Sequence, residues 1–180
     1  MITIINGTNR NGNLSQIIST YYRDELVNLG AQNVHYLTME DLPENMVSSM
    51  MFTSDGRSAS LTMMQDDIII PSEKFLFILP EYNGGIPGIL KLFIDACSSY
   101  RRDECFKGKK VGMLGVAAGR AGNLRGMEHL TGVMNYLGSI VMPDKLPISS
   151  IHSLINDDKQ LTDDDTKLVI KSHAQSFLEF

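Results

Sequence analysis

Strand-like segments recur at regular intervals along the chain. They occupy residues 2–5, 34–37, 75–79, 111–116 and 139–142, and they are rich in β-branched and other large apolar side chains. The first has no polar face and the third is apolar throughout, which is typical of strands buried on both faces of a parallel sheet. We therefore predict five strands, with the third near the centre of the sheet.

The stretches between these segments have the spacing of amphipathic helices. In the first, apolar residues return at three- and four-residue steps from Leu14 to Leu26, as one face of a helix packed on a sheet requires. Further helices are predicted over residues 58–70, 89–100 and 124–137. A last helix begins at Thr162, where three aspartates suit the positive end of the helix dipole.

The repeated alternation of strand and helix determines the predicted fold class. It predicts a parallel sheet with helices on both faces, joined by right-handed crossovers. The chain has no internal repeat, low-complexity tract or internal break, so we predict one α/β domain over residues 1–180.

Three loops rich in glycine and small polar residues follow the first, third and fourth strands. They lie at residues 7–15, 80–88 and 117–123. In doubly wound sheets, ligands bind beyond the carboxyl ends of the strands, and these ends share one edge of the sheet. The convergence of three loops at that edge is stronger evidence for a site than any one loop.

The first loop has the chemistry of an anion site. It ends at a helix N-terminus, where unpaired backbone N–H groups and the helix dipole favour negative charge. Thr8, Asn13 and Ser15 add hydroxyl and amide donors, and Arg10 adds a forked cation that matches phosphate oxygens. The alternative, which the loop fits equally, is that Asn13 or Ser15 caps the helix while Arg10 lies on the surface. The glycine spacing fits neither a Walker A motif nor a dinucleotide fingerprint.

The other two loops suit a flat heterocycle. In the second, Gly84 and Gly85 let backbone N–H groups approach a ring edge-on, while Tyr82 can line one face. The third, with Gly119 and Arg120, can approach the same ring or supply a cation for a second substrate. Phosphate at one end and a heterocycle at the other indicate a mononucleotide rather than a dinucleotide.

Composition narrows the class of function. The net charge of −5 and the pI near 5.3 argue against nucleic acid as the main partner. The N-terminus leads directly into a strand, without the features of a signal peptide, and no apolar run approaches the roughly 20 residues that cross a bilayer. Cys97 and Cys105 are the only cysteines, which fits a reducing compartment. We expect a soluble, cytoplasmic protein.

Other chemistry-bearing residues receive structural interpretations. The three aspartates of the last helix suit its first turn better than a metal, and no His, Cys and carboxylate spacing predicts a metal site. The sequence contains no GxSxG motif, so Ser15 is not predicted to be a nucleophile. The long connection at residues 38–57 carries apolar side chains that suit packing under the loop better than covering a ligand or forming an oligomer contact, namely Met46, Met50, Met51 and Phe52.

The first two loops together resemble a known family. The stretch Gly7-Thr-Asn-Arg-Asn-Gly-Asn-Leu-Ser15, with Pro80-Glu-Tyr-Asn-Gly-Gly-Ile-Pro-Gly-Ile-Leu-Lys91 and Asp95, resembles the NADPH-dependent FMN reductases, which include azo-dye, quinone and chromate reductases. The resemblance runs from residue 1 to about 142, and Pro-Glu-Tyr-Asn is its most specific part. It implies a flavodoxin-like, doubly wound, five-stranded parallel sheet in three α/β/α layers. It also implies FMN and NADPH or NADH as cofactors, and a homodimer or homotetramer.

The resemblance further implies a role for each loop. The FMN phosphate would be held by the first loop, at Thr8, Arg10, Asn13, Leu14 and Ser15. The isoalloxazine ring and ribityl chain would lie against the second loop, at Pro80, Glu81, Tyr82, Asn83, Gly84 and Gly85. The ring would meet the third loop at Ala118 and Gly119. No side chain would be catalytic, because the flavin carries the chemistry.

Two departures from the family pattern bear on function. An aromatic residue and a serine are common where this chain has Gly84 and Gly85, so its ring pocket would be more open. The third loop lacks the family's serine and paired glycines, which bears on nicotinamide binding and on the choice of acceptor. We expect an NAD(P)H-dependent oxidoreductase that passes electrons through FMN to a quinone, an azo compound or free flavin. The alternatives are an FMN electron carrier without nicotinamide turnover and a non-catalytic, partner-binding member of the fold.

Overall fold

The computed structural model describes residues 1–43, 45–53 and 55–180. Its strands are β1 (Ile2–Asn6), β2 (Val34–Thr38), β3 (Lys74–Pro80), β4 (Lys110–Val116), β5 (Ile140–Val141) and β6 (Leu146–Ile148). The strand order is β2-β1-β3-β4-β5, β6 also pairs with β4, and these pairings are all parallel. The predicted flavodoxin-like parallel sheet, with the third strand at its centre, is confirmed.

The last position in the sheet is shared by two short strands. β5 pairs with the start of β4 and β6 pairs with its end. Pro143 lies between them, where a residue without a backbone N–H interrupts a ladder of hydrogen bonds. The single fifth strand predicted at residues 139–142 is therefore shorter, and the edge of the sheet continues as β6.

Helices cover both faces of this sheet. They are α1 (Ser15–Asn28), α2 (Ala59–Met64), α3 (Gly88–Ser98), α4 (Arg102–Phe106), α5 (Leu124–Tyr136) and α6 (Asp164–Glu179). The helix predicted at 58–70 runs as α2 and then as a π-helical turn, Gln65–Ile69, before Pro71. The short helix α4 was not predicted. In the part of the chain that the structure describes, no helix is long and apolar enough to span a membrane.

Alternate side chains of β3 belong to two separate cores. Phe75, Phe77 and Leu79 pack with residues of α2 to α5, whereas Leu76 and Ile78 pack with residues of α1 and α6. All five side chains are buried, so the strand has no polar face, as its sequence predicts. Because both faces are covered by helices, the loops at the strand ends are where a ligand can reach the sheet.

A buried polar pair joins α1 to α6. The Tyr22 hydroxyl lies 2.7 Å from Nδ1 of His173, and Nε2 of His173 lies 3.2 Å from the carbonyl oxygen of Asp144. Nε2 can bond that carbonyl only as a donor, so Nδ1 of the neutral ring accepts the tyrosine proton. Burial lowers the pKa of His173, which favours this neutral ring.

The connection after β2 is only partly packed. Met46 and Met51 are buried, as predicted for side chains under the loop. Met50 and Phe52 are 53% and 67% exposed, so the packing prediction is wrong for these two. Two residues of this connection lie outside the described part of the chain, Glu44 and Ser54.

Candidate functional site

The strand order places the carboxyl ends of β1, β3 and β4 side by side. The chain reverses its direction of travel across the sheet at β1, and such a switch point is where ligands bind in doubly wound sheets. A cleft of about 380 Å³ opens there, which is within the range of small-molecule sites. Its lining comprises Thr8, Arg10, Gly12, Asn13, Leu14, Ser15, Pro80, Glu81, Tyr82, Val116, Ala117, Ala118, Ile151 and His152.

The structure thus brings together most of the residues predicted for the site. All the first-loop candidates line the cleft, together with the start of the second loop and Ala118 of the third. Four candidates lie just outside the lining, namely Asn83, Gly84, Gly85 and Gly119. Five lining residues were missed by the sequence analysis, namely Gly12, Val116, Ala117, Ile151 and His152.

The Asn13 side chain is fully engaged in holding the first loop. Its Oδ1 accepts hydrogen bonds from the Gln16 backbone N–H at 2.9 Å and from the Ser15 hydroxyl at 2.7 Å. Its Nδ2 donates to the Arg10 carbonyl at 2.8 Å and to Glu40 Oε1 at 3.0 Å. The capping contact that the sequence also allowed is therefore present. If the loop binds an anion, the donors would come from the backbone rather than from this amide.

The backbone of the first loop retains unpaired donors. Among the described residues, the N–H groups of residues 11–15 form no hydrogen bond with a protein acceptor. Asn13 and Ser15 are buried, and buried N–H groups are nearly always paired. Within the same part of the chain, Arg10 forms hydrogen bonds only through its backbone, so its guanidinium remains available. These donors meet at the N-terminus of the 14-residue helix α1, and together they fit a phosphate.

One hydrogen bond ties the first loop to the second. The Thr8 hydroxyl lies 2.6 Å from the Tyr82 hydroxyl, and it also accepts the Arg10 backbone N–H at 3.2 Å. Thr8 is fully buried. The Tyr82 side chain therefore runs from the end of β3 to Thr8 of the first loop, and its position depends on both loops.

The second loop closes as a tight hairpin. Tyr82 and Gly85 exchange two backbone hydrogen bonds of 3.0 Å. Asn83 and Gly84 between them have φ angles of 52° and 75°, as a type I′ turn requires. The Asn-Gly dipeptide is the usual signal for this turn, so sequence reasoning had the means to find it. The Gly85 N–H is used within the hairpin, whereas those of Asn83 and Gly84 have no acceptor among the described residues.

Asn123 fastens the third loop to the end of β3. It is 1% exposed, and its Oδ1 caps α5 by accepting the Gly126 N–H at 3.1 Å. Its Nδ2 donates to the carbonyls of Leu79 at 2.9 Å and Pro80 at 3.1 Å. Because Pro80 lines the cleft, this side chain determines how the second and third loops lie relative to each other. Sequence analysis missed it, although asparagine before an apolar helix is a capping signal.

The segment after β6 completes the wall of the cleft. Backbone hydrogen bonds join Ser150 N to the Gly119 carbonyl at 3.2 Å and Ile151 N to the Ala117 carbonyl at 3.1 Å. They hold Ile151 and His152 beside the third loop, where both line the cleft. No local motif predicts these two residues, because their position depends on the pairing of β6 at the sheet edge.

The two cysteines lie in the protein core and not at the cleft. Both are buried free thiols, and burial raises the pKa of Cys97 and of Cys105, which keeps them protonated and unreactive. Among the described residues, no group of three or more His, Cys, Asp or Glu side chains could hold a metal ion. The side chains that line the cleft are suited to binding a ligand and orienting it.

The chain is similar in sequence to known proteins. The family model for NADPH-dependent FMN reductases matches residues 1–153. An NAD(P)H-dependent FMN reductase of Pseudomonas aeruginosa is 33% identical over 108 residues, which cover 58% of this chain and 57% of that protein. A 2-hydroxy-1,4-benzoquinone reductase of a Burkholderia species is 28% identical over 112 residues, which cover 62% of this chain and 59% of that protein. The chain thus aligns with somewhat more than half the length of these curated relatives.

A solved structure shows the same fold along nearly the whole chain. FerB, a flavoenzyme NAD(P)H:(acceptor) oxidoreductase from Paracoccus denitrificans, superposes with a TM-score of 0.78 at 23% sequence identity. The match covers 99% of this chain and 94% of FerB. At this identity the likeness supports the fold, and arguments about the site rest on the residues described above.

Proposed function

The chain belongs to the NADPH-dependent FMN reductase family, and from that premise we propose that it binds FMN in the cleft and passes electrons from NAD(P)H through FMN to a quinone, an azo compound or free flavin. The observation that carries the proposal is the cleft at the switch point, which joins an anion-binding loop to two loops suited to a ring. Family membership implies FMN and a nicotinamide nucleotide as cofactors.

The first loop would hold the phosphate. Its unpaired N–H groups at residues 11–15 offer hydrogen bonds, and the Arg10 guanidinium offers a cation that can bind two phosphate oxygens. The start of α1 adds the positive end of a helix dipole. Asn13 would act indirectly, because its side chain holds the loop in this shape.

The second and third loops would hold the ring. Pro80, Glu81 and Tyr82 line the cleft, and the free N–H groups at the tip of the adjoining turn suit the polar edge of a heterocycle. On the other side, the small residues Ala118 and Gly119 would permit close approach of the backbone. The Asn123 amide and the Thr8–Tyr82 hydrogen bond keep these walls at fixed positions before any ligand enters.

When bound, FMN supplies the hydride- and electron-transfer chemistry. The residues of the chain would bind and orient the reactants, and no described residue of the cleft is arranged as a nucleophile. The rate should therefore depend on how the loops place the ring, and less on the acidity of any single side chain.

The test is anaerobic addition of NADPH to the FMN-reconstituted protein, with flavin absorbance followed in time. Bleaching faster than that of free FMN supports a nicotinamide-oxidising flavoenzyme. Bound flavin that stays oxidised with both NADPH and NADH contradicts it and indicates an electron carrier. Failure to bind FMN contradicts the assignment of the cleft and indicates a non-catalytic binding protein.

The phosphate assignment has its own test. Arg10→Ala removes the available guanidinium, and we expect FMN to bind at least about tenfold more weakly, as for loss of a charged hydrogen bond. Arg23→Ala is the matched control, because Arg23 pairs with Asp24 on the surface of α1. Titration followed by flavin fluorescence measures the FMN dissociation constant of both variants. Equal dissociation constants for the two variants would remove Arg10 from the phosphate site.

We also propose that the chain forms a homodimer through α3 and α5. Leu92 on α3 is 42% exposed and Tyr136 on α5 is 78% exposed, which leaves large apolar side chains at the surface of both helices. A groove of about 410 Å³ between these helices adds further apolar surface. Sedimentation equilibrium should give a dimer or a tetramer, and Leu92→Glu should shift the equilibrium toward monomer. A monomer at micromolar concentration would contradict the proposal.

A further inference from the structure

The seven arginines of the chain fall into two groups by their contacts. Four contact a carboxylate, a carbonyl or an aromatic ring of the protein, namely Arg23, Arg57, Arg101 and Arg102. The side chains of Arg10, Arg120 and Arg125 form no hydrogen bond or ion pair with any described residue. These three follow β1 and β4 at the edge of the sheet that carries the cleft. A guanidinium group without a protein partner is free to bind an anion.

Arg125 lies against the tip of the second loop. A Cβ placed on Gly84 would be 3.7 Å from Arg125 Nη1 and 4.0 Å from its Cδ. One helical turn further along α5, Nδ1 of His129 would be 4.0 Å from a Cβ on Gly85. Arg125 and His129 are therefore the side chains of α5 nearest to Gly84 and Gly85, respectively.

The glycine pair keeps this region open. Gly84 has a φ of 75°, which other residues adopt only with strain, and any side chain there would extend toward the guanidinium. Arg125 itself does not line the cleft at the switch point, whereas Tyr82 at the start of the same hairpin does. The cation thus stands beside the ring end of the cleft, separate from Arg10 in the first loop.

We propose that Arg125 binds the anionic group of the second substrate, and so determines which substrates this chain prefers. This inference rests on the proposed function, because a second substrate exists only where a bound flavin exchanges electrons. The chemistry recognised is a localised negative charge carried beside a planar ring. Such a charge comes either from an acidic group on the acceptor or from the 2′-phosphate of the nicotinamide nucleotide.

The test uses the full chain reconstituted with FMN. The ratio of kcat/KM for an anionic acceptor, 1,2-naphthoquinone-4-sulfonate, to kcat/KM for a neutral one, menadione, is measured at saturating NADPH. The ratio of kcat/KM for NADPH to that for NADH is measured with menadione. Both ratios are determined for the parent protein and for Arg125→Ala, Arg125→Lys and Arg120→Ala. Alanine is a strong helix former, so the exposed position 125 should tolerate it.

We expect Arg125→Ala to lower one of the two ratios by about tenfold, as for loss of a charged hydrogen bond. A fall in the acceptor ratio assigns the anion to the acceptor, and a fall in the nucleotide ratio assigns it to the 2′-phosphate. Arg125→Lys should recover part of the loss. Arg120→Ala removes the same charge from the neighbouring third loop. Its expected smaller effect on the two ratios measures how much of the change comes from losing a positive charge at this edge of the sheet.

Two results would overturn the inference. If both ratios for Arg125→Ala stay within twofold of the parent, or fall no further than those for Arg120→Ala, Arg125 does not bind the anion, while turnover itself still supports the proposed function. If the parent protein binds FMN but oxidises neither nucleotide, the proposed function fails, and this inference fails with it. The two failures are therefore separated by the activity of the parent protein.

Discussion

Replacing Asn123 with alanine would remove the side chain that joins α5 to the end of β3. The variant loses the donor to the Leu79 and Pro80 carbonyls and the acceptor that caps α5 at the Gly126 N–H. It also places alanine at a φ of 60°, where asparagine is far better tolerated. Both the local backbone and the neighbouring loop are therefore affected.

The expected loss of stability can be worked from these contacts. Loss of the cap destabilises by about 1 kcal/mol, the left-handed conformation of alanine by about 1 kcal/mol, and loss of the hydrogen bonds to the Leu79 and Pro80 carbonyls by about 1 kcal/mol. The free energy of unfolding should fall by about 3 kcal/mol, and for a chain of this size Tm should fall by roughly 6–12 °C. Since Pro80 lines the cleft, FMN should also bind more weakly to this variant.

Two further substitutions separate the causes. Asn123→Gly relieves the backbone conformation and should recover about 1 kcal/mol relative to alanine. Asn123→Asp keeps an acceptor for the Gly126 N–H but cannot donate to the carbonyls of Leu79 and Pro80. Urea unfolding followed by circular dichroism measures the free energy of unfolding of all three variants. A loss below about 1 kcal/mol for the alanine variant would refute the claim that this side chain holds the two loops together.

Two other predictions concern the core and the third loop. Burial lowers the pKa of His173, so below about pH 6.5 the unfolded chain binds a proton that the folded chain does not. Stability should therefore be full above that pH and decline as the pH falls toward the folded-state pKa. Urea unfolding near pH 7.5 and 5.5 should show a smaller decline for His173→Gln, and an equal decline would contradict this. In Gly115→Ala the new Cβ would lie 2.0 Å from the Gly122 carbonyl oxygen, and we expect a loss of about 2–3 kcal/mol. Gly132→Ala on α5 meets nothing within 4 Å and should gain about 0.5–1 kcal/mol, so similar thermal shifts for both would argue against the clash.

Several features of the site follow from local sequence. The apolar run at 75–79 predicts a strand buried on both faces, and β3 occupies that central position. The alternation of strands and helices predicts which loops share an edge, and their residues do line one cleft. Such patterns act through local periodicity and burial, which a single chain displays without any knowledge of its tertiary contacts.

Other features depend on contacts that no local pattern contains. An asparagine amide can bind an anion or cap a helix, and at Asn13 the choice depends on the distant Glu40 and the turn at Arg10. Ile151 and His152 reach the cleft because β6 pairs with β4. The arginine that lies beside Gly84 of the second loop is Arg125 and not Arg120, because Asn123 determines where α5 begins.

By itself, then, the sequence determined the fold class, the edge of the sheet where the candidate site lies and the loops that line its cleft. Only the tertiary structure decided which donors remain free at that edge, since a side chain becomes available to a ligand only when no neighbour in the fold has already bound it. Asn13 is engaged by its neighbours, whereas the guanidinium groups of Arg10 and Arg125 have no partner among the described residues.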